Sequence, residues 1–414
     1  MNRKRLFSCF VNVPDLPKGC FMNTEISSIF QNTVNRDREK YLEELTAFCS
    51  IECGSEMKDG VNRVVSLVED HLRDLGLHTE RRPVDEYGDH LIGTTRVDGK
   101  QIVLGGHLDT TYTDYSPLPD FHIDGNYAVG PGTSDMKGGI VAFLGALDCL
   151  KAADFLKDCP ITVLFNSDEE RGAPTSRDMF REFVANTRAA LFSECGGPNG
   201  EIVLARRGKI SYRVDVQGAY MHAGVMDSVK RSALLGLSHK IIEFEAMNQE
   251  FEGTSVNLGK AWGGTASNTV PGSAVGLLDI RYPKADMESK LRTTVDTICA
   301  REHVPGVTAR AEETSYRPVW NDPSSNRELV KLAGKISAED AEVIAEPRAG
   351  TADSNWFGSE GVPTLDGLGP IGSGDHSPGE KILIESLYER ILFNARLIAA
   401  IAEAAPNPNE CSVS

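Results

Sequence analysis

Leu104-Gly-Gly-His107-Leu-Asp109-Thr110 and, after an irregular run, Gly130-Pro-Gly-Thr-Ser-Asp135-Met-Lys-Gly-Gly139 set how the rest of the chain is read. The apolar run Ile102-Val103-Leu104 reads as a strand ending in Gly105-Gly106, with His107 and Asp109 directly after it. Residues i and i+2 on extended backbone point the same way, so Asp109 can reach the imidazole and fix its tautomer. Asp135 closes a Gly/Pro-rich turn in front of an apolar helix expected over 136–153. An acid at a strand-to-helix junction stands where open α/β sheets hold their ligands. Taken singly, Asp135 reads as well as a helix N-cap, and His107 as part of a polar turn.

Bulk properties narrow the field. A chain of 414 residues is too long for one ordinary core, so two domains are expected, one of them possible as an insert. No apolar run approaches the ~18 residues of a membrane span. The net charge of -17 argues against a nucleic-acid surface, which needs a basic stripe, and suits local cation capture. Nine scattered cysteines without a Cys-x-x-Cys pair read as reduced thiols of a cytoplasmic protein. Met1-Asn-Arg-Lys-Arg5 has the charge order of a signal peptide. The apolar part after it is short and runs into Pro14 and Pro17, so an arm or extension is expected instead.

Along the chain, Val61, Val64, Val65, Val68, Leu72 and Leu75 recur at helical spacing, and Gly76 closes the helix. Strands are expected at His90–Thr95, Gln101–Leu104, Ile161–Phe165 and Ala189–Phe192, with a helix near Ser176–Val184. Alternating strands and helices mean a three-layer α/β domain on a mostly parallel sheet. From Arg207 the pattern changes: Lys209–Val216 and Val275–Tyr282 alternate in period two, beside helices at Ser232–Met247 and Ala285–Glu302. The first pattern resumes with helices at Asn326–Ser337 and Ile384–Ala404. The expected layout is an extension (1–36), an α/β domain in two parts (37–206 and 320–405), an inserted α+β module (207–319) and a tail (406–414). His71, His90, His122, His239 and His303 are expected on the surface or in helices.

Carboxylates gather at strand ends. Ile161–Phe165 runs into Asp168-Glu169-Glu170, and Ala189–Phe192 into Ser193-Glu194. Neighbouring anions in a partly dry site repel, and a cation removes that cost. Gly374-Asp375-His376-Ser-Pro-Gly-Glu380 places a histidine in a glycine-rich loop before the last helix. His107, Asp135, Glu170, Glu194 and His376 thus come from separate elements. Two nitrogens with carboxylate oxygens suit zinc, manganese or cobalt, as one ion or two.

His107-x-Asp109, Gly-Pro-Gly-Thr-Ser-Asp135-Met-Lys-Gly, Asp168-Glu169-Glu170, Glu194 and His376 together resemble the dinuclear metallopeptidase and amidohydrolase family of glutamate carboxypeptidase, aminoacylase, acetylornithine deacetylase and succinyl-diaminopimelate desuccinylase. The resemblance spans residues 40 to 403. It implies two divalent ions, zinc first, bridged by Asp135, with His107 and Glu194 on one and Glu170 and His376 on the other. It further implies Glu169 as general base, Asp109 as orienter of His107, and a cis peptide at Asp135–Met136. The insert matches the family's lid and dimerisation domain, which implies a homodimer or higher homo-oligomer. His222, in Ala219-Tyr-Met-His222-Ala-Gly, matches a histidine that reaches a partner's site to stabilise an oxyanion. Asn268, Arg281, Arg317 and Gly350 fall at substrate-facing positions; alone, each reads equally well as an ion pair or turn residue.

Some positions depart from the family. Glu201 stands where glutamate-releasing relatives carry lysine, and Arg206, Arg207 and Trp356 are expected at an altered pocket rim. The expected activity is metal-dependent hydrolysis of a C–N bond in a small carboxylate-bearing substrate, an N-acyl amino acid or dipeptide. An aminohydrolase acting on an aromatic amine such as 5-nitroanthranilate is the alternative enzyme reading. A catalytically inactive binding homologue is the alternative from another class.

Overall fold

A computed structural model describes residues 24–112, 120–225, 229–321, 323–337 and 343–404. Its main sheet has six strands, in the order His78–Arg82, His90–Thr94, Ile161–Asn166, Gln101–His107, Thr187–Phe192 and Thr364–Leu365. The last four are parallel, and His90–Thr94 runs against both of its neighbours. Alternate residues serve opposite faces. Ile102, Leu104, Val163, Phe165 and Leu191 pack with the helix Gly138–Ala152 and the terminal helix Ile384–Glu403. Val103, Leu164, Ala190 and Phe192 pack with Phe180, Trp356 and Phe357 on the other side. Burial on both faces explains the continuous apolar runs of these strands and makes the unit a three-layer α/β fold.

The second sheet is antiparallel, ordered Ser255–Gly263, Ser273–Tyr282, Gly208–Gln217 and Thr308–Arg317. Ile210, Val214, Leu278 and Ile280 join a separate core with residues of the helices Ala233–Glu250 and Glu288–Ala300. Arg206 and Trp320 exchange both backbone hydrogen bonds, at 2.6 and 3.0 Å. The chain therefore enters and leaves this second module through one point.

Several elements differ from the sequence expectation. The strand from Gln101 runs to His107, so the histidine is its last residue rather than part of the following loop. Between the Gly/Pro turn and the helix Gly138–Ala152 lies an irregular turn, Thr133–Lys137, carrying Asp135. Gly139 allows the helix to seat directly on the strand end: a Cβ there would lie 1.8 Å from the Ser193 carbonyl oxygen. Within the expected extension, Thr24–Arg36 forms a helix that buries Phe30 and Val34 in the main core; residues 1–23 and the tail 406–414 lie outside the described residues. His90 is neither superficial nor helical, but buried on its strand. The polar strands His78–Arg82, Ser255–Gly263 and Thr308–Arg317 escaped pattern reading because edge strands lack one apolar neighbour. No helix among the described residues is long and apolar enough to cross a membrane.

His71 ties three helices together. It lies on Lys58–Leu75, and its Nδ1 meets Glu44 Oε1 at 2.5 Å while its Nε2 meets Asp148 Oδ1 at 3.2 Å. Glu44 belongs to the helix Arg38–Cys49 and Asp148 to Gly138–Ala152. Burial lowers the pKa of the imidazole, but the bonds to Asp148 and Glu44 outweigh it and raise it to about 9. A pKa above the unfolded value gives stability that is complete below ~6.5 and lost as pH rises through about 9. Wild-type protein is therefore expected to lose about 3 kcal/mol of stability across that window relative to His71→Gln, whose profile should be flatter. Urea midpoints of both proteins at pH 6, 7.5 and 9 check this; parallel profiles would remove His71 as the cause.

Candidate metal centre

Three strand ends and two loops converge at the carboxyl edge of the main sheet. His107 ends the central strand, Glu170 follows Ile161–Asn166 and Glu194 follows Thr187–Phe192. A small sheet brings in the rest. Lys381–Leu383 pairs with Tyr127–Val129, which aligns the loop holding His376 with the turn holding Asp135. The two oxygens of Asp135 are divided between the histidines: Oδ1 lies 3.0 Å from His107 Nε2 and Oδ2 3.0 Å from His376 Nε2. Glu194 Oε1 stands 3.8 Å from His107 Nε2, and Glu170 Oε2 stands 3.4 Å from His376 Nε2. The five form two ligand groups, His107-Asp135-Glu194 and Asp135-Glu170-His376, and in each group the candidate atoms lie within 4.8 Å of one another.

The donor chemistry fits divalent cations. His107 Nδ1 faces the Asp109 carbonyl oxygen at 3.0 Å and its carboxylate at 3.5 Å, so that nitrogen carries the hydrogen and Nε2 turns to the carboxylates. Glu170 Oε1 is buried with no hydrogen-bond partner among the described residues. Burial, with Asp135 close by, pushes Glu170 up to about 8 and Glu194 well above the ordinary carboxylate range. Hydrogen bonds to Asp135 and Glu170 push His376 up to about 11. Burial works to raise Asp135 too, but hydrogen bonds from both histidines hold it below its ordinary value. Buried oxygens crowded in this way favour a positive charge beside them, and a mixed nitrogen and oxygen donor set suits zinc, manganese or cobalt.

Buried carboxylates hold the ligands in place. Asp109, fully buried, accepts from Ser55 Oγ at 2.7 Å and from the backbone N–H groups of Glu169 and Glu170, each at 3.3 Å. Asp168 accepts from Thr175 and Ser176 and anchors the far side of the same turn. Glu380 accepts from the backbone N–H of Gly132, Ser134 and Asp135 at 2.8–2.9 Å, and from Tyr112 Oη at 3.0 Å. Burial pushes Glu380 up to about 7 against the lowering effect of those N–H bonds. Glu380 closes the Gly374–Glu380 motif that carries His376, and its part in the site emerges only from the fold. The peptide Asp135–Met136 is cis, and His376 sits at φ 60°, a conformation non-glycine residues seldom adopt.

Around this centre the remaining candidates divide. Glu169 Oε1 accepts from Arg317 Nη2 at 3.2 Å, and the same nitrogen donates to Asp353 at 2.8 Å. Burial pushes Asp353 up to about 8 despite Arg317. The other terminal nitrogen of Arg317 donates to the Gly172 carbonyl, and the guanidinium lies 5.3 Å from the centroid of the Trp356 ring. Arg317, expected at a substrate-facing position, is 1% exposed, and its terminal N–H groups serve protein acceptors. Arg206 and Trp356, expected at a rim, are buried. Arg206 pairs with Asp366 at 2.7 Å and donates to the Gly350 carbonyl at 3.1 Å. Glu201 is satisfied by Asn199 at 2.7 and 2.8 Å. Arg281 donates to Asp279 at 3.0 Å. His222 and Asn268 meet on an exposed ribbon, where Ala223 N–H donates to the Asn268 carbonyl at 2.8 Å. His222 Nδ1 accepts from Gly224 N–H there, at 3.1 Å.

Comparison with known proteins gives this arrangement its relatives. The sequence pattern of Peptidase family M20/M25/M40 matches residues 103–400. Carboxypeptidase G2 of Pseudomonas sp. (strain RS-16) is 28% identical over 87% of this chain and 88% of its own. A succinyl-diaminopimelate desuccinylase of Bradyrhizobium sp. is 30% identical over 57% of this chain and 67% of its own. Among solved structures, a tripeptidase from Staphylococcus aureus superposes with a TM-score of 0.72 at 19% identity, covering 88% of this chain and 99% of that one. The Bacillus subtilis YXEP protein, described as a dinuclear metal binding peptidase, superposes with a TM-score of 0.64 at 15% identity, covering 90% and 100%. With the family pattern matched over most of its length, the chain belongs to peptidase family M20/M25/M40 and is a metallohydrolase of peptidase or deacylase type that acts on carbon–nitrogen bonds.

Proposed function

We propose that this protein hydrolyses the amide bond of a small N-acyl amino acid or dipeptide bearing a free carboxylate. The observation that carries this is Asp135, whose two carboxylate oxygens face one histidine each at 3.0 Å, with Glu194 and Glu170 on either flank. His107, Asp135 and Glu194 would hold one divalent ion, and Asp135, Glu170 and His376 a second, with zinc favoured and manganese or cobalt acceptable. When bound, such ions act as Lewis acids that acidify water and polarise the scissile carbonyl. Glu169 is the general base: it takes the proton of the attacking water and returns it to the leaving nitrogen. Arg317 and the Asp109-held backbone fix where Glu169 stands, so Arg317 positions the base. The retention of Glu169 with all five ligands speaks against an inactive binding role.

His222 and Asn268 complete the site from a second copy of the chain, His222 stabilising the developing oxyanion. Their exposed ribbon, anchored within itself, supports this. The exposed edge strand Ser255–Gly263 with Trp262, and Leu234, Leu235 and Ile242 on the adjacent helix, give a homodimer its contact surface. The described cysteines are free thiols, which favours a cytoplasmic setting.

Three outcomes are expected. Prolonged chelation abolishes turnover of N-acyl amino acids, and zinc, manganese or cobalt restores it; full activity with metal absent by elemental analysis contradicts the ligand assignment. Glu169→Gln lowers kcat by ~10²–10⁴ while metal content stays unchanged; a near-normal kcat assigns the proton transfer elsewhere. Mixed dimers of His222→Ala and Glu169→Gln chains regain part of the activity that each parent lacks, and a lack of recovery in verified mixed dimers returns His222 to its own subunit.

A further inference from the structure

The second sheet turns one face to its two helices and leaves the other without them. The row of that second face next to Arg317, and so to the Glu169 turn, is basic. Burial alternates along Gly208–Gln217, and Ile210 enters the helix-side core. Lys209 therefore stands on the opposite face. In the two ladders it lies directly opposite Arg281 on one side and Arg317 on the other. Directly opposed residues of antiparallel strands share a face, with Cβ atoms ~5 Å apart, so three cations occupy one row across three strands.

Two of the three have carboxylate partners. Arg317 Nη2 donates to Asp353 at 2.8 Å and to Glu169 at 3.2 Å, and Arg281 Nε donates to Asp279 at 3.0 Å. Lys209 has no hydrogen-bond or ion-pair partner among the described residues. Burial lowers the pKa of its ammonium; Asp279 and Glu169 act to raise it and Arg281 and Arg317 to lower it, which places it among these four charges.

We propose that Lys209, with Arg281 beside it, is the binding site for the carboxylate of the substrate, a place for which the sequence pattern offers Arg281 and Arg317. A partly buried cation without a counter-ion carries a desolvation cost that an incoming carboxylate offsets. Arg317 is a poor competitor for that carboxylate, because turning it outward would strip Asp353 of its donor and release Glu169. Lys209 is free to move on a flexible stem, and its departure from the present position breaks no bond. The proximity to Glu169 also suits the chemistry: a substrate anchored here presents its acyl nitrogen near the base.

The proposal rests on the reading that the substrate is a carboxylate, and its test does not need turnover. Zinc-loaded full-length protein is titrated by calorimetry with the straight-chain dicarboxylates from malonate to adipate, each against its monoamide. The first carboxylate of such a probe suits the metal end, and the second spans toward the lysine row. Wild type is expected to bind at least one diacid about tenfold tighter than its monoamide, the strength of one charge-assisted bond. Lys209→Met should reduce that ratio to about twofold or less, and Lys209→Arg should keep it; Lys209→Gln replaces the methionine variant if the latter does not fold. A ratio that survives in the Met or Gln variant, or an absent diacid preference in wild type, overturns the proposal. Failure of the hydrolase reading shows separately, as a lack of metal-dependent turnover with any N-acyl amino acid.

Discussion

One carboxylate, that of Asp135, joins elements from both ends of the chain. Its oxygens meet His107 from the central strand and His376 from the loop before the last helix, and neither contact is local in sequence. The carboxylate is steered by a second one. Glu380 gathers the N–H groups of Gly132, Ser134 and Asp135 around itself, and the single O–H of Tyr112 is shared between it and the Ser377 carbonyl, 2.6 Å away. A buried carboxylate is costly unless its lone pairs are filled, and four donors fill these. Once satisfied in this way, Glu380 leaves the Asp135 turn and the His376 loop little freedom to separate.

The electrostatic pattern around the centre has two tiers. In the inner tier, Asp135, Glu170 and Glu194 outnumber the two histidines, and burial raises both glutamates. That imbalance disfavours the bare site and favours any cation that reaches it. In the outer tier, Asp109 and Asp168 are fully buried and take their donors from hydroxyls and backbone N–H groups. They set the position of the Glu169-Glu170 turn, much as Glu380 sets Asp135. Carboxylates here do two jobs: Asp109, Asp168 and Glu380 hold hydroxyl and backbone donors, while Asp135, Glu170 and Glu194 turn to the two histidines and to one another.

The second sheet meets this centre through Arg317. That residue ends the strand Thr308–Arg317, reaches Glu169 and Asp353, and rests against Trp356. The contact couples the position of the second module to the position of the proposed base. It also explains why the open face of an antiparallel sheet carries charge in a protein whose net charge is -17: the face turns toward anions, those of the centre and, in our proposal, that of the substrate.

The sequence by itself was enough for the fold class and for the candidate ligands. Continuous apolar runs ending in Gly-Gly-His107, Glu169-Glu170 and Glu194 reflect a sheet buried on both faces, whose strand ends open at one edge. Such features are local: a run, a turn and an acid follow one another along the chain. Only the tertiary structure decided which oxygen of Asp135 meets which histidine, and that Glu380 holds its turn. It alone placed Arg317 inside, against Asp353, and aligned Lys209 with two arginines more than 70 positions downstream of it. Those outcomes depend on strand register and on which donors burial leaves available. A single residue letter carries neither, because the same arginine is a clamp in water and a strut once its terminal N–H groups meet acceptors from within.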